Sequence, residues 1–319
     1  MINLLFDNGQ IIAFVGILIA FAATCFLTSV GSKFLPKDAG RAFAHDGAKS
    51  AGKPRGAGII FILVFVAASF LFAQINVEIA IYLVLVAIEM FTGFFDDAAD
   101  KPWGELKKGI LDFIVAVIVA VTFLHFNSNV VTLAFTGTQL AIPPIVFGIL
   151  TVILVWVSIN VTNCSDGVDG LSGTLTMITL MSLYVIDYVT KNKSGFDYLI
   201  LVFVVCILGY LWYNATPSKL LMGDAGSRAM GIFISIAALK TGMPFIYIPV
   251  AIVLIADGGL GLLKVSLIRF LKIHILKNTT TPLHDHVRKV KGWSNNQNVF
   301  RFAIIQIVVC VATVYLIII

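Results

Sequence analysis

Long apolar stretches alternate with short polar breaks from one end of the chain to the other. Reading each stretch between its breaks predicts helices at 11–33, 57–74, 78–95, 109–126, 145–161, 172–190, 198–212, 227–240, 246–272 and 299–319. Most approach the roughly 20 residues that span a hydrocarbon layer about 30 Å thick. The pattern therefore predicts an all-α fold: one integral membrane domain over residues 1–319, a polytopic bundle of ten transmembrane helices. The ninth stretch is longer than a simple crossing and contains Asp257-Gly258-Gly259, where paired glycines weaken a helix interior and a bend or break is expected. Thr136, Gly137, Pro143 and Pro144 predict an extracytoplasmic turn or short hairpin between the fourth and fifth helices. No basic region precedes the first apolar stretch near Ile11, so it is expected to be a retained helix rather than a cleaved signal.

Composition agrees with this solvent. Of 319 residues, 59% are hydrophobic and 12% charged, which excludes an ordinary soluble domain. The four cysteines, Cys25, Cys164, Cys206 and Cys310, are scattered and show neither a disulfide framework nor a zinc spacing.

Charge then orients the bundle, because Lys and Arg accumulate in cytoplasmic loops. Six basic residues (Lys33, Lys37, Arg41, Lys49, Lys53, Arg55) follow the first helix, and three (Lys101, Lys107, Lys108) follow the third. Lys219 and Arg228 flank the loop after the seventh, and eight more lie in or beside the loop after the ninth, from Lys264 to Arg301. Only Lys191, Lys193 and Lys240 fall opposite, so both termini are expected outside and all five odd-to-even loops inside. The pI near 9.0 thus reflects topology and is no sign of a nucleic-acid partner.

Each of those five loops carries a polar cluster. Asp96-Asp97 ends the third helix, followed by Asp100 and Lys101; adjacent carboxylates repel unless a cation shares them or one keeps its proton, which suits a metal–diphosphate site or a proton acceptor. A solvated acidic loop would read the same way. Asn163, Asp166-Gly167 and Asp169-Gly170-Leu171 crowd the junction of the fifth and sixth helices more densely than helix capping requires. Asn214 precedes Met222-Gly223-Asp224-Ala225-Gly226-Ser227, where glycines around a carboxylate at a helix start suit a phosphate and its metal. His284-Asp285-His286 leads into Arg288, Lys289 and Lys291; without cysteines it suits diphosphate binding or proton transfer better than zinc. The approach to that loop, Lys264 to Lys277, reads as an amphipathic helix lying on anionic headgroups. His45 to Gly58 is basic and glycine-rich against the second helix, where phosphate binding and ordinary positive-inside charge are both open readings. Intramembrane Glu89, Asp112 and Asp257 should face the bundle interior.

Together these motifs resemble, along the whole chain, those of the polyprenyl-phosphate N-acetylhexosamine-1-phosphate transferases. The double Asp matches Asp96-Asp97, NxxDGxDGL matches Asn163 to Leu171, and MGDxGS matches Met222 to Ser227 with Asn214 upstream. Pro282-Leu283-His284-Asp285-His286, then Lys291-Gly292-Trp293 and Arg301-Phe302, is similar to the ending of the muramoyl-pentapeptide branch rather than the GlcNAc-1-phosphate branch. Three departures stand out. Asp285 replaces the middle histidine; the glycine-rich stretch leaves Lys49 and Lys53 as alternatives; and Lys101 sits one place late, with Lys107 or Lys108 supplying the next lysine.

The resemblance implies Mg²⁺ as cofactor and, as partners, UDP-MurNAc-pentapeptide, undecaprenyl phosphate and membrane lipids, in the bacterial plasma membrane with a cytoplasmic active site. Carboxylates clustered on one face lead us to expect that Asp224 and Asp97 hold the metal while Asp96 prepares the lipid phosphate for direct attack, with a covalent aspartyl-phosphate route through Asp224 or Asp96 as the alternative, and that His284, Lys49 and Lys108 bind diphosphate oxygens. Asn163, Asp166, Asp169, Gly170, Leu171, Asn214 and His286 are then expected to contact substrate, and a homodimer through apolar helix faces is allowed. The rivals are a UDP-GlcNAc enzyme of the same family and a secondary transporter, which should show inverted repeats that the sequence lacks.

Overall fold

The computed structural model describes residues 9–40, 50–99, 101–192 and 194–319. Each apolar stretch becomes helical: α1 Gly9–Gly31, α2 Gly58–Phe72, α3 Val77–Asp97, α4 Glu105–Phe126, α5 Pro144–Cys164, α6 Leu171–Val189, α7 Asp197–Asn214 and α8 Gly223–Lys240. The ninth stretch divides into α9 Pro244–Val250 and α10 Ile252–Leu271, and α12 Asn295–Ile318 closes the chain. Local chemistry sets several starts. Asn76 accepts a hydrogen bond from the Ile79 N–H at 2.8 Å ahead of α3, Pro144 opens α5, and Ser294 with Gln297 forms a capping box on α12. The expected extracytoplasmic turn is a β-hairpin, β1 Val130–Thr132 antiparallel to β2 Gln139–Ala141.

Among the described residues, α1, α3, α4, α5, α6, α7 and α12 are long and apolar enough to cross a membrane, and the bent pair α9–α10 makes an eighth. The chain is thus a helical multi-pass membrane protein. Two of the ten expected crossings do not meet that standard, for different reasons. With 15 residues α2 reaches about 22 Å. α8 carries Asp224, Ser227, Arg228 and Ser235, yet almost every residue from Gly223 to Leu239 is buried. Packed among α2, α3, α5 and α6, it meets protein rather than lipid, so polar residues with partners are tolerated on it. An aromatic stack of Phe203 on Phe233, 4.2 Å between centroids, with Phe65 edge-on to Phe203 at 4.6 Å, fills the core between α2, α7 and α8.

The ninth stretch does not break at its glycine pair. It turns by 69° at Ala251, beyond Pro249, a residue with no N–H to donate. Side chains from neighbouring helices satisfy the freed backbone: Thr179 Oγ1 donates to the Val250 carbonyl at 2.9 Å, Gln306 Nε2 donates to the same carbonyl, and Gln306 Oε1 accepts from the Val253 N–H at 2.9 Å. Asp257-Gly258-Gly259 instead lies in a π-helical turn, Ile255–Gly259. The expected surface helix from Lys264 to Lys277 is also absent as such. α10 runs on to Leu271, Lys272 leaves it with a φ of 55°, and the amphipathic helix lies beyond, α11 Leu283–Lys291.

The two ends of the bundle differ in chemistry. At one, Lys240 pairs with Glu78 at 2.9 Å and donates to Asn127 Oδ1 at 2.8 Å. At the other, the starts of α4 and α8 meet the end of α3, and the polar loops converge.

Candidate active site

The first turn of α8 is the centre of this end. Its backbone is approached so closely by α3 and α2 that side chains there have no room: a Cβ on Gly93 would lie 2.4 Å from the Asp224 carbonyl, and one on Gly58 would lie 2.0 Å from the Gly226 nitrogen. The loop before α2 is stitched to the segment before α8 by backbone hydrogen bonds, Leu221 N–H to Pro54 O at 2.8 Å, Ala57 N–H to Leu221 O at 3.0 Å and Gly58 N–H to Met222 O at 3.0 Å. Arg55 of the first loop is thereby carried to Asp224.

The adjacent aspartates diverge, because neighbouring positions on a helix point about 100° apart. Asp96, buried, accepts from the Trp103 N–H at 2.6 Å and pairs with Lys108. Asp97 accepts from the Ala225 N–H at 3.1 Å, at the positive end of α8, and from Arg55 Nε at 2.9 Å. Asp224 lies between the two cations, 3.0 Å from Lys108 Nζ and 3.9 Å from Arg55 Nη2. Arg55 also reaches Asp38 at 3.3 Å. Burial opposes the Arg55 charge, but Asp97, Asp224 and Asp38 outweigh it and hold the guanidinium above its ordinary range. Lys107 turns away, its Nζ lying 3.3 Å from the centroid of the Trp103 ring, so of the two lysines it is Lys108 that meets the carboxylates. Among the described residues no three His, Cys, Asp or Glu side chains close into a metal cage.

The second loop joins this centre through Asn163, which donates to Ser227 Oγ at 3.0 Å. Asp169 accepts from the Ser218 N–H at 3.2 Å and sits 3.9 Å from Lys53 Nζ, which donates to Ser218 Oγ at 2.9 Å. Asp166 lies in the turn, its N–H on the Asn163 carbonyl at 3.1 Å. Gly170, Leu171 and Asn214 join the second loop to the third. Asn214 is buried and holds the Gly170 N–H at 2.8 Å while donating to Leu220 O at 2.9 Å, and the Leu171 side chain is wholly enclosed in the core.

His284 is the buried histidine of its pair. Asp257 accepts from its backbone N–H at 2.7 Å and lies 2.8 Å from its Nδ1. That leaves Nε2 against the second loop, where Gly167 has no Cβ to block it: one there would lie 2.1 Å from that nitrogen. Arg288 donates to the Gly167 carbonyl at 3.3 Å and pairs with Asp285, so the unexpected carboxylate helps pin α11 in place. His286 takes a separate position, half-buried, with Nδ1 3.3 Å from the Thr280 N–H. Lys49 lies outside the described residues.

The model of glycosyl transferase family 4 matches residues 79–242, from α3 to the end of α8. Over 292 residues the chain is 42% identical to the phospho-N-acetylmuramoyl-pentapeptide-transferase of Treponema pallidum (strain Nichols), covering 86% of this chain and 80% of that protein. The like-named protein of Bartonella quintana (strain Toulouse) is 28% identical over 282 residues, covering 82% and 78%. The chain belongs to the phospho-N-acetylmuramoyl-pentapeptide-transferase family. It is a phosphoglycosyl transferase, and the matched segment carries Asp96, Asp97, Lys108, Asn163, Asp169 and Asp224.

For two further residues the sequence leaves the role open: Arg55 lies in a basic stretch that reads equally as phosphate-binding or as positive-inside charge, and Asp257 is expected only to face the bundle interior. A carboxylate on Nδ1 fixes the imidazole tautomer and so the state of the Nε2 that faces the second loop. Asp257→Asn is therefore expected to lower kcat/KM about 10- to 100-fold, as loss of such supporting carboxylates does elsewhere, with little change in Tm. A folded variant with the wild-type value would remove Asp257 from this role.

Proposed function

We propose that the protein transfers phospho-MurNAc-pentapeptide from UDP-MurNAc-pentapeptide to undecaprenyl phosphate, giving undecaprenyl-pyrophosphoryl-MurNAc-pentapeptide (lipid I) and UMP in peptidoglycan synthesis. The observation that carries it is the meeting of Asp96, Asp97 and Asp224 with Lys108 and Arg55 at the start of α8, in a chain 42% identical over most of its length to a protein named for that transfer. An oxygen of the lipid phosphate attacks the sugar-bearing phosphorus, the bond from that phosphorus to the bridging oxygen breaks, and UMP leaves with the electron pair.

The donor set suits Mg²⁺. Asp97 and Asp224 bring hard oxygens to one place, as this ion prefers when it also binds substrate phosphates. Four carboxylates (Asp38, Asp96, Asp97, Asp224) face two cations (Arg55, Lys108), an excess of negative charge that a dication would balance. When bound there by Asp97 and Asp224, Mg²⁺ supplies charge neutralisation on the diphosphate. Lys108 and Arg55 hold diphosphate oxygens, the role the sequence motif also gives to Lys49. Asp96 takes any proton left on the lipid phosphate, and His284, aligned by Asp257, donates from Nε2 to a phosphate oxygen. Asn163, Asp166, Asp169 and His286 face the sugar and nucleoside, while Gly170, Leu171 and Asn214 hold the loops that carry them.

The charge asymmetry supports ten crossings with both termini outside and this site on the cytoplasmic face of the bacterial plasma membrane, and the burial of α8 suits a crossing within the protein rather than against lipid. The exposed apolar faces of α1 and α12 suit lipid or a second copy, as a homodimer needs.

Purified protein in detergent, given undecaprenyl phosphate and Mg²⁺, is expected to release UMP from UDP-MurNAc-pentapeptide and not from UDP-GlcNAc, with EDTA abolishing release. Release from UDP-GlcNAc alone would move the protein to the sister activity, and no release from a folded sample would remove the reading.

A further inference from the structure

Directly beneath the carboxylate layer lies a second charged layer whose members all stand on helices. Arg228 is 3% exposed, Glu89 0% and Asp112 1%. Arg228 Nε donates to Glu89 Oε1 at 2.9 Å, and its Nη2 bonds Asp112. Asn160 Nδ2 donates to the other Asp112 oxygen at 3.1 Å.

The spacing of these residues matches the layer above. Arg228 is four residues after Asp224 on α8, and Asp112 is four after Lys108 on α4. Glu89 is seven before Asp96 on α3, and Asn160 is three before Asn163 on α5. Separations of three, four and seven return to the same helix face. Each of the four helices thus presents at least one residue to the site and, one or two turns deeper, one to the buried cluster.

We infer that Arg228, Glu89 and Asp112, with Asn160, act as positioning residues that lock the register of α3, α4, α5 and α8, and through it the mutual placement of Asp96, Asp97, Lys108, Asn163 and Asp224. A buried ion cluster is a poor source of stability, since desolvation offsets most of its attraction, but it is intolerant of displacement. Sliding one helix by a single residue, about 1.5 Å, separates its charged group from its partner. Apolar side chains at the same positions would allow that slide. The inference rests on the proposed reaction in that it takes the carboxylate layer to be the working one.

The test compares wild type with the triple variant Glu89→Gln/Asp112→Asn/Arg228→Met, which removes the charges at similar volume, and with Arg228→Lys, which keeps the charge and loses the fork. Three readouts are taken on purified full-length protein: Tm, kcat and KM for UMP release, and Mn²⁺ affinity by electron paramagnetic resonance without substrates. The triple variant is expected to melt near wild type, with kcat lowered about 10- to 100-fold at unchanged KM, and Mn²⁺ bound about tenfold more weakly. Wild-type kcat and Mn²⁺ affinity in that variant would overturn the inference and leave the cluster a purely structural one. Should the triple variant not fold, Arg228→Lys decides by the same criteria. Should wild type itself release no UMP, the proposed reaction fails, and the Mn²⁺ comparison still decides whether the cluster positions the carboxylates.

Discussion

Asp224→Asn is expected to lower kcat for UMP release by about 10²–10³-fold or more, the scale on which one preorganised electrostatic group acts in a transition state. The substitution keeps the volume and removes the charge that lies 3.0 Å from Lys108 and 3.9 Å from Arg55. The helix itself has no reason to unfold. Asp224 stands in the first turn of α8, its side chain 13% exposed, and the surrounding packing is made by Gly58, Gly93 and Ala225 rather than by the carboxylate. Tm should therefore move little while the turnover falls. A folded Asp224→Asn protein turning over at the wild-type rate would show that the carboxylate layer does not carry the chemistry.

Gly93→Val is expected to damage both stability and activity from a position that presents nothing to a substrate. Its Cβ would lie 2.4 Å from the backbone of Asp224, closer than any contact that side-chain rotation relieves, so α3 and α8 must separate. Overpacking of this kind costs about 1–3 kcal/mol, read as a lowered Tm. Asp97 rides on the last turn of α3 and accepts the Ala225 N–H of α8, so the same separation pulls apart the two carboxylates that Arg55 bridges. A displacement of about 1 Å costs on the order of 10²-fold in rate. Gly148→Ala on α5 is the matched control, because its Cβ would meet only the end of the Leu124 side chain at 3.4 Å. Equal Tm and equal activity in Gly93→Val and wild type would refute the close approach of α3 and α8.

Much of the fold was legible along the chain because lipid imposes a simple rule: a crossing segment must be continuously apolar and must satisfy its own backbone. That rule places α1, α3, α4, α5, α6, α7 and α12 within a few residues of their observed bounds. It says less about helices enclosed by protein. The first turn of α8, Gly223 to Gly226, read as loop, since an enclosed helix can begin with a glycine and an aspartate when neighbouring helices provide the packing. The break at Ala251 was hidden as well. Paired glycines are a visible weakness, but the structure breaks where Thr179 and Gln306, distant in sequence, stand ready to satisfy the opened backbone.

The site divides along the same line. Asp96, Asp97, Asn163, Asp169, Asp224 and His284 stand out as candidates in the sequence because each lies in a polar motif at a helix end, whereas Lys107 and Lys108 stay alternatives until the structure turns Lys107 onto Trp103. Charge asymmetry placed those ends on one face. Which oxygen meets which nitrogen was not determined locally. That Asp96 and Asp97 take different cations, that Arg55 rather than a bystander lysine bridges Asp97 and Asp224, that Asp257 holds His284, and that Arg228 meets Glu89 and Asp112 beneath them are contacts between residues 12 to 169 positions apart. Motif and hydropathy are properties of one segment and its solvent. Pairing is a property of helices brought side by side, and only the packed bundle decides it.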